Sequence, residues 1–79
     1  MWQVYILQCK NKTFYTGVTI DLSRRVKEHN SSALGAKYTR GRRPVKLVYS
    51  TAQKNKSRAL KEELRIKRLS RAEKFKMIK

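Results

Sequence analysis

The chain has 79 residues, 39% of them hydrophobic, which is enough for one small core, so we expect a single domain over residues 1–79. Lysine and arginine total 21 against 5 acidic residues, and the formal net charge of +16 favours nucleic acid as the partner. Because there is no apolar run of about 18 residues and no basic-then-apolar signal peptide, we expect a soluble cytoplasmic protein without a membrane partner.

The first eighteen residues predict a β-hairpin. Residues 2–9 are rich in β-branched and aromatic side chains, and residues 13–18 resume that pattern after a short polar interruption. Apolar side chains alternate onto both faces of the first segment, so we expect a central strand that is covered on both sides. Cys9, the only cysteine, cannot form an internal disulfide, and we expect it to be a buried thiol.

A helix is predicted next, with Asp21 as its N-cap and its end at about Asn30. Leu22 and Val26 stand one turn apart and mark its apolar face. At about 100° per residue, Arg25 and His29 project beside that face. Residues 31–44 contain the only proline and most of the glycines, and they predict a long basic loop.

The remaining elements are a strand and two helices. Alternation from Val45 to Tyr49 predicts a third strand, and helical spacing runs from about Lys56 to Leu69, with Asn55 or Ser57 as N-cap. Ser70 to Glu73 has the form of a capping box that opens a last short helix. The order β-β-α-β-α-α predicts an α/β (α+β) fold, in which a small three-stranded antiparallel sheet is flanked by three helices.

Glu63 falls near the middle of the apolar stripe of the second long helix, with Lys67 one turn further on. We predict that this stripe consists of Ala59, Leu60, Leu64 and Ile66. A carboxylate that faces the interior of so basic a protein is costly unless it is paired or holds a cation. Glu63 is therefore a candidate functional residue, whereas Glu62 faces away.

Each of these polar residues also has a purely structural interpretation. Arg25 can cover apolar surface with its stem, and His29 near a helix C-terminus can be a dipole-stabilised imidazolium. Glu63 can be the counter-ion of the lysine four residues on. Tyr5 and Tyr15, taken separately, are ordinary half-buried strand tyrosines. The convergence of a carboxylate, an arginine, a histidine and two phenols on inward faces favours a functional site.

Short motifs in order along the chain carry a family resemblance. They are Gln3-Val4-Tyr5, Tyr15-Thr16-Gly17, Asp21-Leu22-Ser23-Arg24-Arg25, Gly35-Ala36-Lys37-Tyr38-Thr39-Arg40, Ala59-Leu60-Lys61-Glu62-Glu63 and Leu69-Ser70-Arg71-Ala72-Glu73-Lys74. Together they resemble the GIY-YIG nuclease superfamily, in its small stand-alone UPF0213-like branch, which is related to the N-terminal nuclease domain of an excinuclease. Two positions depart from the pattern: Gln3 replaces a motif glycine, and Val18 stands where some members carry a lysine.

The resemblance implies phosphodiester hydrolysis with one divalent cation, Mg²⁺ or Mn²⁺. Glu63 would hold this cation together with water and the scissile phosphate, since a hard cation prefers oxygen ligands. The products would carry 3′-hydroxyl and 5′-phosphate ends. The expected activity is that of a DNA endonuclease with a role in DNA repair or processing.

The same resemblance assigns roles to the other site residues. Tyr5 or Tyr15 would orient or deprotonate the attacking water, and Arg25 would hold the phosphate. His29 would hold a phenol or the phosphate, or share in proton transfer. Gly17 is a backbone position of the second tyrosine motif.

Basic residues with one tyrosine among them form a candidate nucleic-acid-binding arm. They are Lys37, Tyr38, Arg40, Arg42, Arg43 and Lys46, with Lys67 added from the later helix. Such contacts give salt-dependent affinity and little sequence information, and a merely solvated basic loop is the alternative. We expect a monomer that binds DNA in preference to RNA, with targeting by a protein partner left open. The alternative function is a catalytically inactive nucleic-acid-binding module with the same fold.

Overall fold

The computed structural model describes residues 1–31 and 35–78, and within them three strands and four helices. The elements are β1 Trp2–Gln8, β2 Phe14–Thr19, α1 Leu22–Ser31, α2 Lys37–Arg40, β3 Lys46–Gln53, α3 Lys56–Lys67 and α4 Arg71–Ile78. This confirms the predicted order β-β-α-β-α-α, with the one-turn helix α2 as an addition inside the predicted loop. Among the described residues, no helix is long and apolar enough to cross a membrane.

The sheet is antiparallel with the strand order β2-β1-β3, which confirms that β1 is the central strand. Because side chains alternate along β1, the two faces of the sheet have separate cores. Val4 and Ile6 pack against α3 on one face, and Tyr5 and Leu7 pack toward α1 on the other. The thiol of Cys9 is buried with the second group, as expected.

The helices begin where the sequence predicts capping residues. Asp21 and Asn55 each accept a hydrogen bond from the backbone N–H three residues on, at 3.1 and 2.9 Å. The capping box is also formed: the Ser70 N–H donates to the Glu73 carboxylate at 2.9 Å, and the Glu73 N–H donates to the Ser70 hydroxyl at 3.2 Å. These bonds satisfy N–H groups that have no partner inside their helices.

The predicted apolar stripe of α3 is only partly correct. Ala59 and Ile66 are fully buried, but Leu60 and Leu64 are 42% and 49% exposed. The sheet behind α3 is three strands wide, and α3 packs mainly over β1 and β2, so only a narrow arc of the helix is covered. Glu63 lies on that covered arc, as predicted, with its side chain 16% exposed.

The segment that contains α2 is fastened to the C-terminal end of α1. The Asn30 side chain exchanges two hydrogen bonds with the backbone of Val45, at 3.0 and 2.7 Å. Gly35 lies against α1, since a Cβ atom there would be 2.6 Å from the Glu28 carbonyl oxygen. The predicted long loop thus contains a helical turn held at a defined position. Its residues 32–34 lie outside the described residues.

Candidate active site

Gly17 makes room for the phenol of Tyr5. The two residues are paired across β1 and β2. A Cβ atom at Gly17 would lie 2.5 Å from the Tyr5 oxygen and 2.7 Å from Cζ, distances at which real atoms clash. The Tyr5 ring therefore lies across β2 where a side chain is absent. This gives the motif glycine a packing reason of its own.

Tyr5, Tyr15 and His29 pack together on the α1 face of the sheet. The ring centroids of the two tyrosines are 6.4 Å apart, and those of Tyr15 and His29 are 5.1 Å apart. The Tyr5 oxygen lies 2.9 Å from Nε2 of His29, within hydrogen-bond distance. Two strands and a helix thus bring both predicted phenols and the predicted histidine to one place.

His29 is more deeply placed than the helical pattern predicts. The sequence puts it at the border of the apolar face, but its side chain is fully buried, because the turn of α2 covers it with Thr39 at 2.9 Å from Nδ1. Burial lowers the pKa of His29 to about 4, and the positive charges of Arg25 and Arg43 act in the same direction. The imidazole is neutral at neutral pH, in place of the imidazolium that a helix C-terminus favours.

Tyr5 is a protonated phenol at neutral pH. Its pKa is raised to about 12, mainly by burial and secondly by the neighbouring Tyr15. A hydrogen bond from Arg25 opposes this shift. Arg25 also donates to the carboxylate of Glu28 at 2.8 Å, which fixes its guanidinium beside the phenol.

Glu63 approaches the cluster from α3, on the other face of the sheet. Its carboxylate is 3.5 Å from the ammonium of Lys67, the structural pairing that the sequence also predicts. Its charge nevertheless adds to the raised pKa of Tyr5, so it acts on the phenol cluster. Glu62 instead makes a two-point ion pair with Arg65, at 2.8 and 2.6 Å. The Glu62 side chain is 22% exposed, close to the 16% of Glu63, so the prediction that Glu62 faces away is wrong and only the partners distinguish the two carboxylates.

The donor set fits a weakly held hard cation. Within residues 1–31 and 35–78 there is no group of three or more histidine, cysteine, aspartate or glutamate residues that could enclose a metal ion. Mg²⁺, however, keeps several waters and is commonly held by one or two carboxylates together with substrate phosphates. Glu63 is a single carboxylate, so it satisfies that requirement only once a phosphate is present.

Part of the predicted nucleic-acid-binding arm reaches the rim of this cluster. The ring of Tyr38 stacks on that of Tyr15, with centroids 5.9 Å apart and an interplanar angle of 30°. The guanidinium carbon of Arg42 lies 4.1 Å from the Tyr38 ring centroid, and the same side chain donates to the Tyr38 carbonyl at 2.6 Å. An aromatic and cationic stack therefore extends outward from the partly buried ring of Tyr15.

The other residues of the arm lie in different surroundings. Lys37 and Arg40 are exposed on α2, and Lys46 lines a cavity of about 200 Å³ that Lys10 and Lys12 also line. Arg43 donates to the carbonyl of His29 at 2.5 Å, which satisfies the C-terminal end of α1. Arg43 thus has a structural contact that the charge pattern does not indicate.

Comparison with known proteins decides the family. A model of the GIY-YIG catalytic domain matches residues 1–76. The chain belongs to the GIY-YIG family. It is 54% identical over 76 residues to a UPF0213 protein of Syntrophus aciditrophicus, with 96% of this chain and 87% of that protein covered. A UPF0213 protein of Desulfotalea psychrophila is 53% identical over 78 residues, covering 99% and 71% of the two chains.

A solved structure supports both the family and the fold. The solution NMR structure of a UPF0213 protein from Bacillus halodurans is similar to this chain, with a TM-score of 0.62 and 47% sequence identity. The similarity covers 99% of this chain and 83% of that one. The resemblance to the GIY-YIG superfamily in its UPF0213-like branch is thereby confirmed.

Thr39 is the residue of this GIY-YIG domain that sequence reasoning left without a role. It is fully buried, and its hydroxyl contacts the ring of His29. It lies in a segment whose sequence has no helical or strand periodicity, although the structure forms α2 there, so no pattern in the sequence indicates that it faces inward. Only the segment Gly35 to Arg40, which resembles the small branch of the family, marks this region.

Proposed function

We propose that this chain is a metal-dependent endonuclease that hydrolyses phosphodiester bonds in DNA. The observation that carries the proposal is the gathering of Tyr5, Tyr15, Arg25 and His29 on one face of the sheet, within the electrostatic reach of Glu63. GIY-YIG domains are typical of nucleases. The proposal treats residues 1–79 as one catalytic domain.

Arg25 would bind the scissile phosphate. Its guanidinium is fixed by Glu28 at 2.8 Å and hydrogen-bonds to Tyr5, so it is already oriented before substrate binds. A planar guanidinium can donate two parallel hydrogen bonds to non-bridging phosphate oxygens. Negative charge that develops on those oxygens would then be stabilised by a donor that needs little reorganisation.

One of the two phenols would orient or deprotonate the attacking water. Tyr5 is protonated at neutral pH, because burial raises the pKa of its phenol to about 12, so in this form it would orient the water by hydrogen bonding. The neutral imidazole of His29, 2.9 Å from the Tyr5 oxygen, would accept a hydrogen bond from the phenol and fix its direction, which favours Tyr5 over Tyr15 for this role. Tyr15 would then position the water or the phosphate beside it.

Glu63 would hold one divalent cation, Mg²⁺ or Mn²⁺, with water and phosphate oxygens as the other ligands. When bound, the cation would neutralise the negative charge that develops on the leaving 3′-oxygen. The Glu63–Lys67 contact of 3.5 Å is long and its lysine is half exposed, so Lys67 can leave the carboxylate and contact a phosphate instead. The carboxylate is therefore available once substrate arrives.

Affinity would come from the positive charge of +16 and from the arm, in which Tyr38 and Arg42 adjoin the phenols. Contacts of this kind follow the phosphate backbone and carry little sequence information. We therefore propose a cytoplasmic monomer that acts in DNA repair or processing and prefers DNA to RNA. Selection of the site to be cut would come from DNA structure or from a protein partner.

A cleavage assay tests this proposal. Supercoiled plasmid, branched DNA and an RNA duplex are incubated with Mg²⁺ or Mn²⁺ and with wild type, Glu63→Gln or Glu62→Gln. We expect wild type and Glu62→Gln to cut DNA, and Glu63→Gln to be slower by at least about a hundredfold, since it lacks the cation ligand. If wild type and Glu63→Gln leave all substrates equally intact, the enzyme proposal is refuted. Cleavage of RNA alone would refute the preference for DNA.

A nucleic-acid-binding module without catalysis is the second candidate. Two observations favour it: Val18 stands where some family members carry a lysine, and Glu63 is paired with Lys67. This candidate predicts tight, salt-dependent binding that is unaffected by Glu63→Gln or Tyr5→Phe, with no cleavage under any cation. The same preparations therefore distinguish the two functions.

A further inference from the structure

The buried hydroxyl of Thr39 links α2 to the phenol cluster. Its oxygen lies 2.9 Å from Nδ1 of His29 and also 2.9 Å from the carbonyl oxygen of Ala36, to which it donates. Nε2 on the other side of the imidazole lies 2.9 Å from the Tyr5 oxygen. Tyr5, His29, Thr39 and Ala36 thus form one continuous chain of short contacts.

The direction of each hydrogen bond follows from what each group can donate. A carbonyl oxygen only accepts, so the proton of the Thr39 hydroxyl is directed to Ala36. The Thr39 oxygen then accepts from His29, which requires the proton of the neutral ring to be on Nδ1. Nε2 carries the lone pair and accepts from the hydroxyl of Tyr5. In this arrangement each proton of the chain has an acceptor.

One contact favours the opposite tautomer. The backbone N–H of Ala36 lies 3.4 Å from Nδ1 and could donate to a lone pair there. That distance is beyond the usual range for N–H donors. The opposite tautomer would also turn the Thr39 proton toward His29, leaving the oxygens of Thr39 and Ala36 in contact at 2.9 Å with no proton between them. The shorter contacts therefore favour the His29 tautomer with its proton on Nδ1.

Contacts with α1 fix the position of α2. A Cβ atom at Gly35 would lie 2.6 Å from the Glu28 carbonyl oxygen and 2.9 Å from the Cα of His29, so the chain before α2 packs tightly on α1. Arg43, which follows α2 in the chain, donates a hydrogen bond to the His29 carbonyl and so holds the C-terminal end of the same segment on α1. Thr39 is therefore held against the imidazole from both ends.

We propose that Thr39 is a positioning residue that fixes His29 with its proton on Nδ1, so that Nε2 accepts a hydrogen bond from the hydroxyl of Tyr5 and orients this phenol. The opposite tautomer would donate to the Tyr5 oxygen and leave the phenol proton without this acceptor. The consequence for catalysis, but not the tautomer itself, rests on the proposed nuclease function.

NMR of the ring nitrogens tests the tautomer directly. His29 is the only histidine, so long-range ¹H–¹⁵N correlations at neutral pH report it without ambiguity. We expect wild type to have a protonated Nδ1 and an unprotonated Nε2. Thr39→Val keeps the shape but removes the hydroxyl, and should move the proton to Nε2; Thr39→Ser should restore the wild-type pattern. A wild-type ring protonated on Nε2 would overturn the proposal, and this result needs no variant.

Cleavage by the same three proteins tests the catalytic consequence. Thr39→Val should cut about ten- to a hundredfold more slowly than wild type, the usual cost of removing a partner that orients a histidine in metal sites. Thr39→Ser should retain most of the rate. If no protein cuts while the tautomers behave as expected, the nuclease function fails and the positioning role of Thr39 stands. If folded Thr39→Val has the changed tautomer and cuts like wild type, the role of Thr39 in catalysis is refuted.

Discussion

Both faces of the sheet bury side chains of β1, but the buried groups are chemically different. Toward α3, Val4, Ile6 and Ile66 form an apolar core with no polar partner among them. Toward α1 and α2, Tyr5 and His29 are buried just as deeply, but they hydrogen-bond to each other. Alternation along β1 separates these environments by one residue. Burial stabilises the fold on the first face, and on the second it sets the protonation of the phenol and the imidazole.

Ile66→Ala is expected to have the largest effect, and only on stability. The side chain is fully buried in the apolar core, so truncation should lower the free energy of unfolding by about 2–5 kcal/mol. Leu64→Ala, at a half-exposed position of the same helix, should cost less than about 1 kcal/mol. Denaturant titration measures both. Equal losses for the two variants would show that the apolar face is not organised as described.

Gly17→Ala should damage both stability and cleavage. The added methyl group meets the Tyr5 phenol at 2.5–2.7 Å, and overpacking of this kind costs about 1–3 kcal/mol and displaces the ring from His29. Gly41→Ala is the matched control, because among residues 1–31 and 35–78, its chain neighbours aside, no atom lies within 4 Å of a Cβ there, and its φ of −88° suits alanine. If Gly17→Ala is as stable and active as Gly41→Ala, the Tyr5 phenol does not need the space that the missing side chain of Gly17 leaves.

Acid should weaken the fold through His29. The folded state holds this residue with a pKa near 4, below the ordinary value of 6.5, so the unfolded state binds the proton first as the pH falls. The free energy of unfolding should therefore decrease by about 2 kcal/mol between about pH 8 and about pH 5. Denaturant titrations across this range measure the slope. His29→Gln should lack most of it, and an unchanged slope in that variant would contradict the assignment.

Removal of a single arm lysine should have the smallest effect. Lys37→Ala should weaken DNA binding only a few-fold and reduce the slope of log affinity against log salt by about 1, if its ammonium contacts a phosphate. Lys56→Ala is the control, since this ammonium lies over the ring of Trp2, 5.4 Å from its centroid, beside the apolar core. Fluorescence anisotropy at several salt concentrations compares them. Identical slopes would place the binding surface away from α2.

Much of the fold could be predicted because local signals agree with the final structure. The alternation of side chains along Trp2–Gln8 indicates β1. The capping residues Asp21 and Asn55 mark the starts of α1 and α3, and none of these signals depends on distant residues. The exposure of Leu60 and Leu64 could not be predicted, because it depends on the width of the sheet behind α3. Periodicity orders the residues around a helix but does not say how wide an arc a neighbour covers.

The candidate site shows the same limit. Periodicity indicates that Arg25 and Glu63 face inward, and the structure agrees. The depth of His29 and the contact with Thr39 depend on how the segment after α1 folds back, which Gly35 makes possible. That segment has no repeating pattern, so only the three-dimensional structure connects it to the phenols.

We propose that the polar face of the sheet, and not burial in general, performs the chemistry. Two tyrosine variants test it in one cleavage assay with Mg²⁺ or Mn²⁺: Tyr5→Phe removes a hydroxyl from the polar face, and Tyr49→Phe removes one from a ring that packs on the apolar core. We expect Tyr5→Phe to cut at least about a hundredfold more slowly per folded molecule, with unchanged DNA affinity, and Tyr49→Phe to cut like wild type. Cleavage by Tyr5→Phe at the wild-type rate would show that this phenol has only a packing role.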